Sequence, residues 1–325
     1  MKMRENVFIT GGTGFIGKCI VNKLLECENL NLSILSRNNY NNGHKLQYIK
    51  GNILDFECVE HVIKNADYVI HLAGNKNNPN SYYQTNVEGT RNVIKACSAN
   101  QKLKKLLYLS SVGVIGKTKD SIIDENSYCN PQNDYEISKY KAELLVQEYS
   151  KKVKGRVIIL RPTNVFGEND PDLHLLNLLR SIINHRFYVV GSDVSRYYLN
   201  YLYVREISEL VPSLLEAKTK NDLYILNTPT RLYDFIMIIK EILKDKTPLR
   251  HLPYWPVWLI ARCFDFIPQK IMRHQPINTN KLSELTNVRH YSSSLLSADL
   301  EWEPKFKMEE ALLNVIAYYQ NKLMI

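Results

Sequence analysis

Short β-branched runs alternate with amphipathic stretches through the first half of the chain. Residues 7–10 read as a strand, followed by a glycine-rich turn and a helix whose apolar positions are Phe15, Ile16, Cys19, Ile20, Leu24 and Leu25. Residues 32–35 and 46–49 read as further strands, and Val59, Val62 and Ile63 give 55–65 the apolar face of a helix. Strands follow at 68–72, 106–110 and 157–160, separated by helices near 85–99 and 135–149. Strand–helix alternation at this spacing predicts an α/β fold built on a parallel sheet covered on both faces.

After Arg161 the rhythm loosens. Helices are expected near 173–184, 204–217 and 234–243, with short strands near 187–190, 198–203 and 224–226. Met308, Ala311, Leu312, Val315, Ile316 and Tyr319 mark a last amphipathic helix. The Asn-rich stretches 38–42 and 75–80 read as surface loops, and the sequence shows no internal repeat. The stretch 254–267 is almost wholly apolar, interrupted by Arg262 and Asp265 and carrying Trp255 and Trp258. It is too short to span a bilayer. It reads as a helix buried over a pocket or in a dimer contact, and it is the one candidate for touching a membrane.

Composition acts mainly by exclusion. The 325 residues are 45% hydrophobic and 23% charged, which supplies a sizeable core and argues against wholesale disorder. No apolar run reaches the ~18 residues of a membrane span, and Gly11 interrupts the opening strand too soon for a signal peptide. Six cysteines without a CxxC pair suit reduced thiols in a cytoplasmic protein, not a disulfide framework or a metal site. The net charge of +9 accompanies no nucleic-acid motif, so nucleic acid is not an expected partner. Arg37, Lys76, Lys139 and Arg196 instead offer positive charge to the phosphates of small ligands.

Thr10-Gly11-Gly12-Thr13-Gly14-Phe15-Ile16-Gly17 lies between the first strand and the first helix. Gly11 permits a tight turn, Gly14 lets backbone approach a pyrophosphate, and Gly17 permits close helix–strand packing. The helix N-terminus then aims N–H groups at the phosphates. The second strand ends at Ser36-Arg37 with no acid to bind ribose hydroxyls. NADP(H) is therefore the preferred cofactor, with Arg37 reaching its 2′-phosphate, and NAD(H) the alternative. Tyr135 and Lys139 stand four apart, so a helix presents both on one face, where an ammonium favours the phenolate.

These motifs fall in a fixed order with His71-Leu72-Ala73-Gly74, Asn86-Val87-Glu88-Gly89-Thr90, Ser110-Ser111 and Arg161-Pro162-Thr163-Asn164. In that order the chain resembles an extended short-chain dehydrogenase/reductase of the NAD-dependent epimerase/dehydratase type, over nearly its full length. The resemblance implies a doubly wound, Rossmann-type parallel sheet with a smaller C-terminal α/β substrate lobe. The cofactor domain would span 1–165 with returning segments near 186–227, and the lobe 166–185 and 228–325. Tyr135 would be the acid/base, Lys139 would hold the nicotinamide ribose and lower the tyrosine's pKa, and Ser111 would bind the reacting oxygen. The cofactor would lie along Gly11, Thr13, Gly14, Phe15, Ile16 and Gly17, with Ser36, Arg37, Asn52 and Ile53 at its adenine end. Leu72, Ala73, Gly74, Lys76, Asn86 and Pro162 would complete that surface, and Asp55 matches the family's adenine-side acid. Asn164 and Arg196 would meet substrate.

Three positions depart from the family's pattern: Asn52 replaces an acid, Ile115 a tyrosine, and Leu199 the arginine that epimerases use on a diphosphate. The resemblance implies hydride transfer on a nucleotide-activated sugar, as 4-ketoreductase or 4-epimerase, in a cytoplasmic homodimer. One alternative is a reductase of a hydrophobic ketone, hydroxysteroid-dehydrogenase-like or dihydroflavonol-reductase-like. The other is a non-catalytic NADP(H) sensor.

Overall fold

The structure is a computed structural model that describes residues 4–191, 193–266 and 277–325. In chain order the first half forms β1 (Glu5–Thr10), α1 (Phe15–Leu25), β2 (Leu30–Ser36), β3 (Leu46–Lys50), α2 (Phe56–Ile63), β4 (Tyr68–His71), α3 (Gly89–Ala99), β5 (Lys105–Leu109), β6 (Ile122–Ile123), α4 (Asp134–Val153) and β7 (Val157–Pro162). The second half adds β8 (Asn164–Phe166), α5 (His174–Ile183), β9 (Tyr188–Val190), β10 (Tyr198–Leu199), β11 (Tyr201–Tyr203), α6 (Val204–Glu216), β12 (Leu223–Leu226), β13 (Thr230–Arg231) and α7 (Leu232–Ile242). It closes with β14 (Arg250–Leu252), α8 (Tyr254–Asp265), α9 (Thr279–Leu285), β15 (His290–Tyr291), α10 (Ser294–Leu300) and α11 (Met308–Asn321).

Seven strands make one parallel sheet in the order β12-β7-β5-β4-β1-β2-β3. Ile9 stands beside Ile34 on one side and Ile70 on the other. The apolar runs of β4, β5 and β7 are buried throughout, as a sheet covered on both faces requires. On one face Ile20, Val21 and Leu24 of α1 pack with Ile207, Val211 and Leu214 of α6. On the other, Val59 and Ile63 of α2 join Val93 and Ala96 of α3 and Ala142 and Val146 of α4. A separate core of α5, α7 and α11, with Leu179, Phe235, Ile236 and Val315, builds the lobe.

The details differ from the sequence expectations in five places. Of the stretch 186–227, only α6 and β12 return to the main sheet, whereas β9 pairs with β14 outside it. Leu296 and Trp302, from the far C-terminal part, pack into the main sheet's core. The strand expected at 198–203 is split at Asn200, whose side chain donates to the Arg289 carbonyl and accepts from Tyr291 N and Asn227 Nδ2. Residues 83–88, ahead of α3, form a π-helix, a rare winding that is frequent at functional sites.

The fifth concerns 254–267. Residues Tyr254–Asp265 are helical, but the helix buries only Val257 and Ala261, and none of its residues reaches the large cleft described below. Ile267 lies outside the described residues.

Candidate active site

The order of the sheet reverses between β1 and β4, and the loops leaving their C-terminal ends diverge into a crevice. A cavity of about 1320 Å³ occupies that crevice. Its floor is the loop between β1 and α1, whose geometry needs glycine. Gly11 sits at φ +73°, and a Cβ on Gly17 would stand 2.2 Å from the Gly11 carbonyl oxygen. Gly14 caps α1 with its backbone and no side chain, which leaves the helix N-terminus open to the cavity. Thr13, Phe15 and Ile16 line the same wall, and Leu72, Ala73 and Gly74 face it from the end of β4. A tight loop, a free helix N-terminus and this apolar wall fit a dinucleotide.

At the far corner Ser36, Arg37, Asn52 and Ile53 line the cleft, joined by Leu35, Gly51 and Leu54. No carboxylate stands among them, and Arg37 is exposed. Asp55 does not line the cavity; its side chain accepts from Cys58 N at 3.2 Å and caps α2.

Tyr135 and Lys139 enter through α4. Asn133 caps this helix by accepting from Glu136 N, while Glu136 accepts from Gln132 N, so the capping residues fix Tyr135 in the first turn. Lys139 follows one turn later, buried, with Nζ donating to the Leu109 carbonyl at 2.7 Å and the Tyr108 hydroxyl at 3.0 Å. Burial pushes Lys139 down to about 8, opposed by the Glu143 carboxylate. Tyr135 is pushed up to about 12, first by burial and then by the negative charge of Asp172. In this arrangement Tyr108 and Leu109 hold the Lys139 ammonium, and burial dominates the phenol.

Ser111 reaches the cavity from the end of β5. Its Oγ accepts from Gly113 N at 3.1 Å, which fixes the rotamer while its own proton stays available. Pro162 and Asn164 line the opposite side, after β7. Ser111, Tyr135 and Lys139 thus share one cavity with the glycine loop: a positioned hydroxyl, a neutral phenol and an ammonium. That set can bind a carbonyl or hydroxyl oxygen and exchange a proton with it.

Two of the residues expected at the site do not line the cavity. Asn86 does not line the cleft. It is buried behind the wall, where Oδ1 accepts from Asn75 N at 2.7 Å and Nδ2 donates to Ser138 Oγ at 2.8 Å, tying the loop after β4 to α4. Arg196 stands 71% exposed on a short turn, 4.0 Å from Asp193 and outside the cavity. Lys76 lines the cavity and forms an ion pair with Asp172 that bridges the loop after β4 and the segment before α5. Among the described residues no three His, Cys, Asp or Glu side chains gather as a metal site.

Sequence reasoning missed much of the lobe wall: His174, Leu178, Phe187, Tyr201, Leu232 and Leu285. Their spacing carries no motif, since they meet only through tertiary packing. It also missed the buried cluster behind the site. Glu143 accepts from Arg161 Nη2 at 2.6 Å and Nε at 3.0 Å, and from Ser110 Oγ at 2.5 Å.

His71 belongs to the same buried layer, with Nδ1 2.7 Å from Thr10 Oγ1 and Nε2 2.9 Å from Thr90 Oγ1. Burial, then the Lys139 charge, pushes it from 6.5 down to about 3. The unfolded chain takes up this proton first, so stability should fall as pH drops from 6.5 toward 3, by about 1.4 kcal/mol per unit where the states differ by one proton. Lys139 works in the same sense at the alkaline end: stability rises as pH climbs from about 8 to 10.5, the range where only the unfolded chain keeps its proton. Unfolding followed against pH checks both limbs. His71→Asn should flatten the acid limb, and an unchanged slope would assign it to other groups.

The chain matches the model of the NAD dependent epimerase/dehydratase family over residues 7–226. It is 30% identical over 274 residues to N-acetyl-alpha-D-glucosaminyl-diphospho-ditrans,octacis-undecaprenol 4-epimerase of Escherichia coli O157:H7, covering 82% of this chain and 80% of that one. Among solved structures it is similar to the UDP-glucose 4-epimerase of Thermotoga maritima with UDP-glucose, at a TM-score of 0.71 and 21% identity, covering 98% of this chain and 99% of that one. It is also similar to UDP-glucuronic acid 4-epimerase of Bacillus cereus in complex with NAD, at a TM-score of 0.72 and 18% identity, covering 97% and 99% respectively. At these identities the two structures show a shared fold.

Proposed function

Because the chain belongs to the NAD dependent epimerase/dehydratase family, we propose that it is an NAD(P)(H)-dependent enzyme that transfers hydride at C4 of a nucleotide-activated sugar, as a 4-epimerase or 4-ketoreductase. The observation that carries this reading is the convergence of Ser111, Tyr135 and Lys139 in one cavity with the glycine loop and Asn164. Similarity to named 4-epimerases supports it.

The dinucleotide, bound along the glycine loop, would supply the carbon that accepts and returns hydride. Gly11 to Ile16 and the N-terminus of α1 would hold the pyrophosphate, and Asn52 and Ile53 would flank the adenine end. Lys139, lining the same cavity as the phenol, would hold the nicotinamide ribose and supply positive charge to the site. Ser111 donates to the sugar's reacting oxygen and orients it. Tyr135 gives its proton to that oxygen when a carbonyl is reduced and takes it back when the alcohol is oxidised. Asn164 contacts the sugar from the lobe side. A phenol is protonated at neutral pH and burial pushes Tyr135 further that way, so the resting site is set up to donate.

The corner built by Ser36 and Arg37, free of carboxylate among its lining residues, supports NADP(H) preference. Arg37→Ala should weaken NADPH binding about tenfold, the loss of one charge-assisted contact, and leave NADH within about twofold. Equal weakening of both would remove Arg37 from the 2′-phosphate. Turnover on UDP-sugars and 4-keto sugar nucleotides separates the two reactions, because a reductase consumes reduced cofactor and an epimerase does not. Tight cofactor binding with no turnover on either panel would overturn the enzyme reading.

A second reading, favoured by the lobe wall, takes a sugar diphosphate carried on a lipid. Leu178, Phe187, Leu199, Leu232 and Leu285 make that end of the cavity apolar, and Leu199 stands where epimerases hold a diphosphate with arginine. The Escherichia coli relative is named for an undecaprenol-linked sugar. Turnover of a polyprenyl-diphosphate sugar without turnover of any sugar nucleotide would decide for it.

A further inference from the structure

Helix α8 turns an unusual face outward. It buries Val257 and Ala261 against Val190 of β9 and Leu282 of α9, and little else. Trp255 is 71% exposed, Leu259 and Ile260 are each 51% exposed, and Trp258 is exposed beside them. Phe266, just past the helix, is 77% exposed, and Leu252 and Tyr254 extend the surface at its start. Residues 255, 258, 259, 262 and 266 recur at helical spacing, so these side chains form one continuous face.

The segment that carries this face is basic. Between residues 246 and 266 lie Lys246, Arg250, His251 and Arg262 against a single acid, Asp265. That carboxylate is taken up by Thr279, whose N and Oγ1 donate to it at 3.2 and 2.7 Å. Arg250 lies over the Tyr188 ring beside the helix, and Arg262 over the Phe266 ring within the apolar face. Indole rings among aliphatic side chains, with arginines beside them, match the chemistry of a bilayer interface. No described helix is long and apolar enough to cross a membrane, so such a helix would lie flat. A twofold contact with a second copy would set this basic segment against itself.

We propose that α8, with Leu252 and Phe266, is a docking surface for an anionic lipid bilayer. The proposal stands apart from the choice of sugar carrier, although it brings the apolar end of the cavity, through Phe187 before β9 and Leu285 of α9, to the side on which a lipid-borne substrate would be presented.

The full chain is mixed with phosphatidylcholine vesicles, with or without phosphatidylglycerol, and binding is read by sedimentation and by tryptophan emission. Of the three tryptophans only Trp255 and Trp258 are exposed, Trp302 being buried, so a blue shift reports the helix. Binding should require phosphatidylglycerol and weaken with salt. Trp255→Ser with Trp258→Ser should weaken it about tenfold or more. Arg250→Gln with Arg262→Gln, which leaves the apolar face intact should the tryptophan variant not fold, should weaken it about tenfold or more. Absence of vesicle binding, binding indifferent to both variants, or tryptophan-dependent self-association without vesicle binding would each overturn the proposal. The readout needs no substrate, so failure of the sugar reading would appear separately, as absent turnover.

Discussion

Tyr135→Phe should lower kcat by about 10²- to 10⁴-fold, the usual contribution of a positioned general acid or base. Dinucleotide affinity should stay within about twofold of the unchanged protein. The replacement is mild for the fold: the phenyl ring keeps its edge contact with Tyr82, and among the described residues the Tyr135 hydroxyl has no hydrogen-bond partner. Lys139 is held by Tyr108 and Leu109, not by Tyr135, so its position survives the change. Steady-state turnover beside cofactor titration checks both halves. Unaltered turnover would remove Tyr135 from its acid/base role. Parallel loss of cofactor affinity would recast it as a binding residue.

Glu143→Leu should be the most damaging single change to stability. Glu143 is fully buried and is the bidentate partner of a nearly fully buried Arg161, whose Nη1 already lacks a hydrogen-bond partner among the described residues. Removing the carboxylate leaves a guanidinium uncompensated in the core, which costs about 3–5 kcal/mol. Urea unfolding should register this as a lower midpoint with a similar slope. Glu143→Leu combined with Arg161→Met should recover most of the loss, since desolvation of the pair roughly cancels its attraction. A single variant costing under ~1 kcal/mol would refute the assignment. The change also reaches the site: Glu143 is the charge that opposes the downward shift of Lys139, so without it the lysine should lose its proton more readily.

The main sheet was legible because its strands are short apolar runs or apolar–polar alternations bounded by turns. The glycine loop, Ser111, Tyr135 and Lys139 were legible because local spacing fixes where they sit, at a strand end or on one helical turn. Asn86 belongs to a recognisable motif too, but its role changed: the π-helical turn carries its amide behind the cleft wall, onto Asn75 and Ser138. Arg196 was assigned from charge and nearness in sequence to Leu199. A short turn in place of a continuous strand aims it at solvent. The partnership of Glu143 with Arg161 crosses from α4 to β7, and no sequence pattern announces it. Helix α8 was recognised by composition, yet composition alone could not say which of its faces the lobe would cover.

The sheet is also out of register with the order in which it is made. Its outer strand β12 is supplied by residues 223–226, after the chain has left β7 at residue 162 to build β8, α5 and the small strands of the lobe. Helix α6, which covers one face together with α1, is equally late. During synthesis the first 165 residues therefore carry a bare strand edge on β7 and a half-clothed apolar face, the surfaces most apt to pair with other chains. A nascent chain stalled there would depend on a chaperone, and a gene cut at the apparent domain boundary would yield an aggregating fragment instead of a minimal cofactor-binding domain.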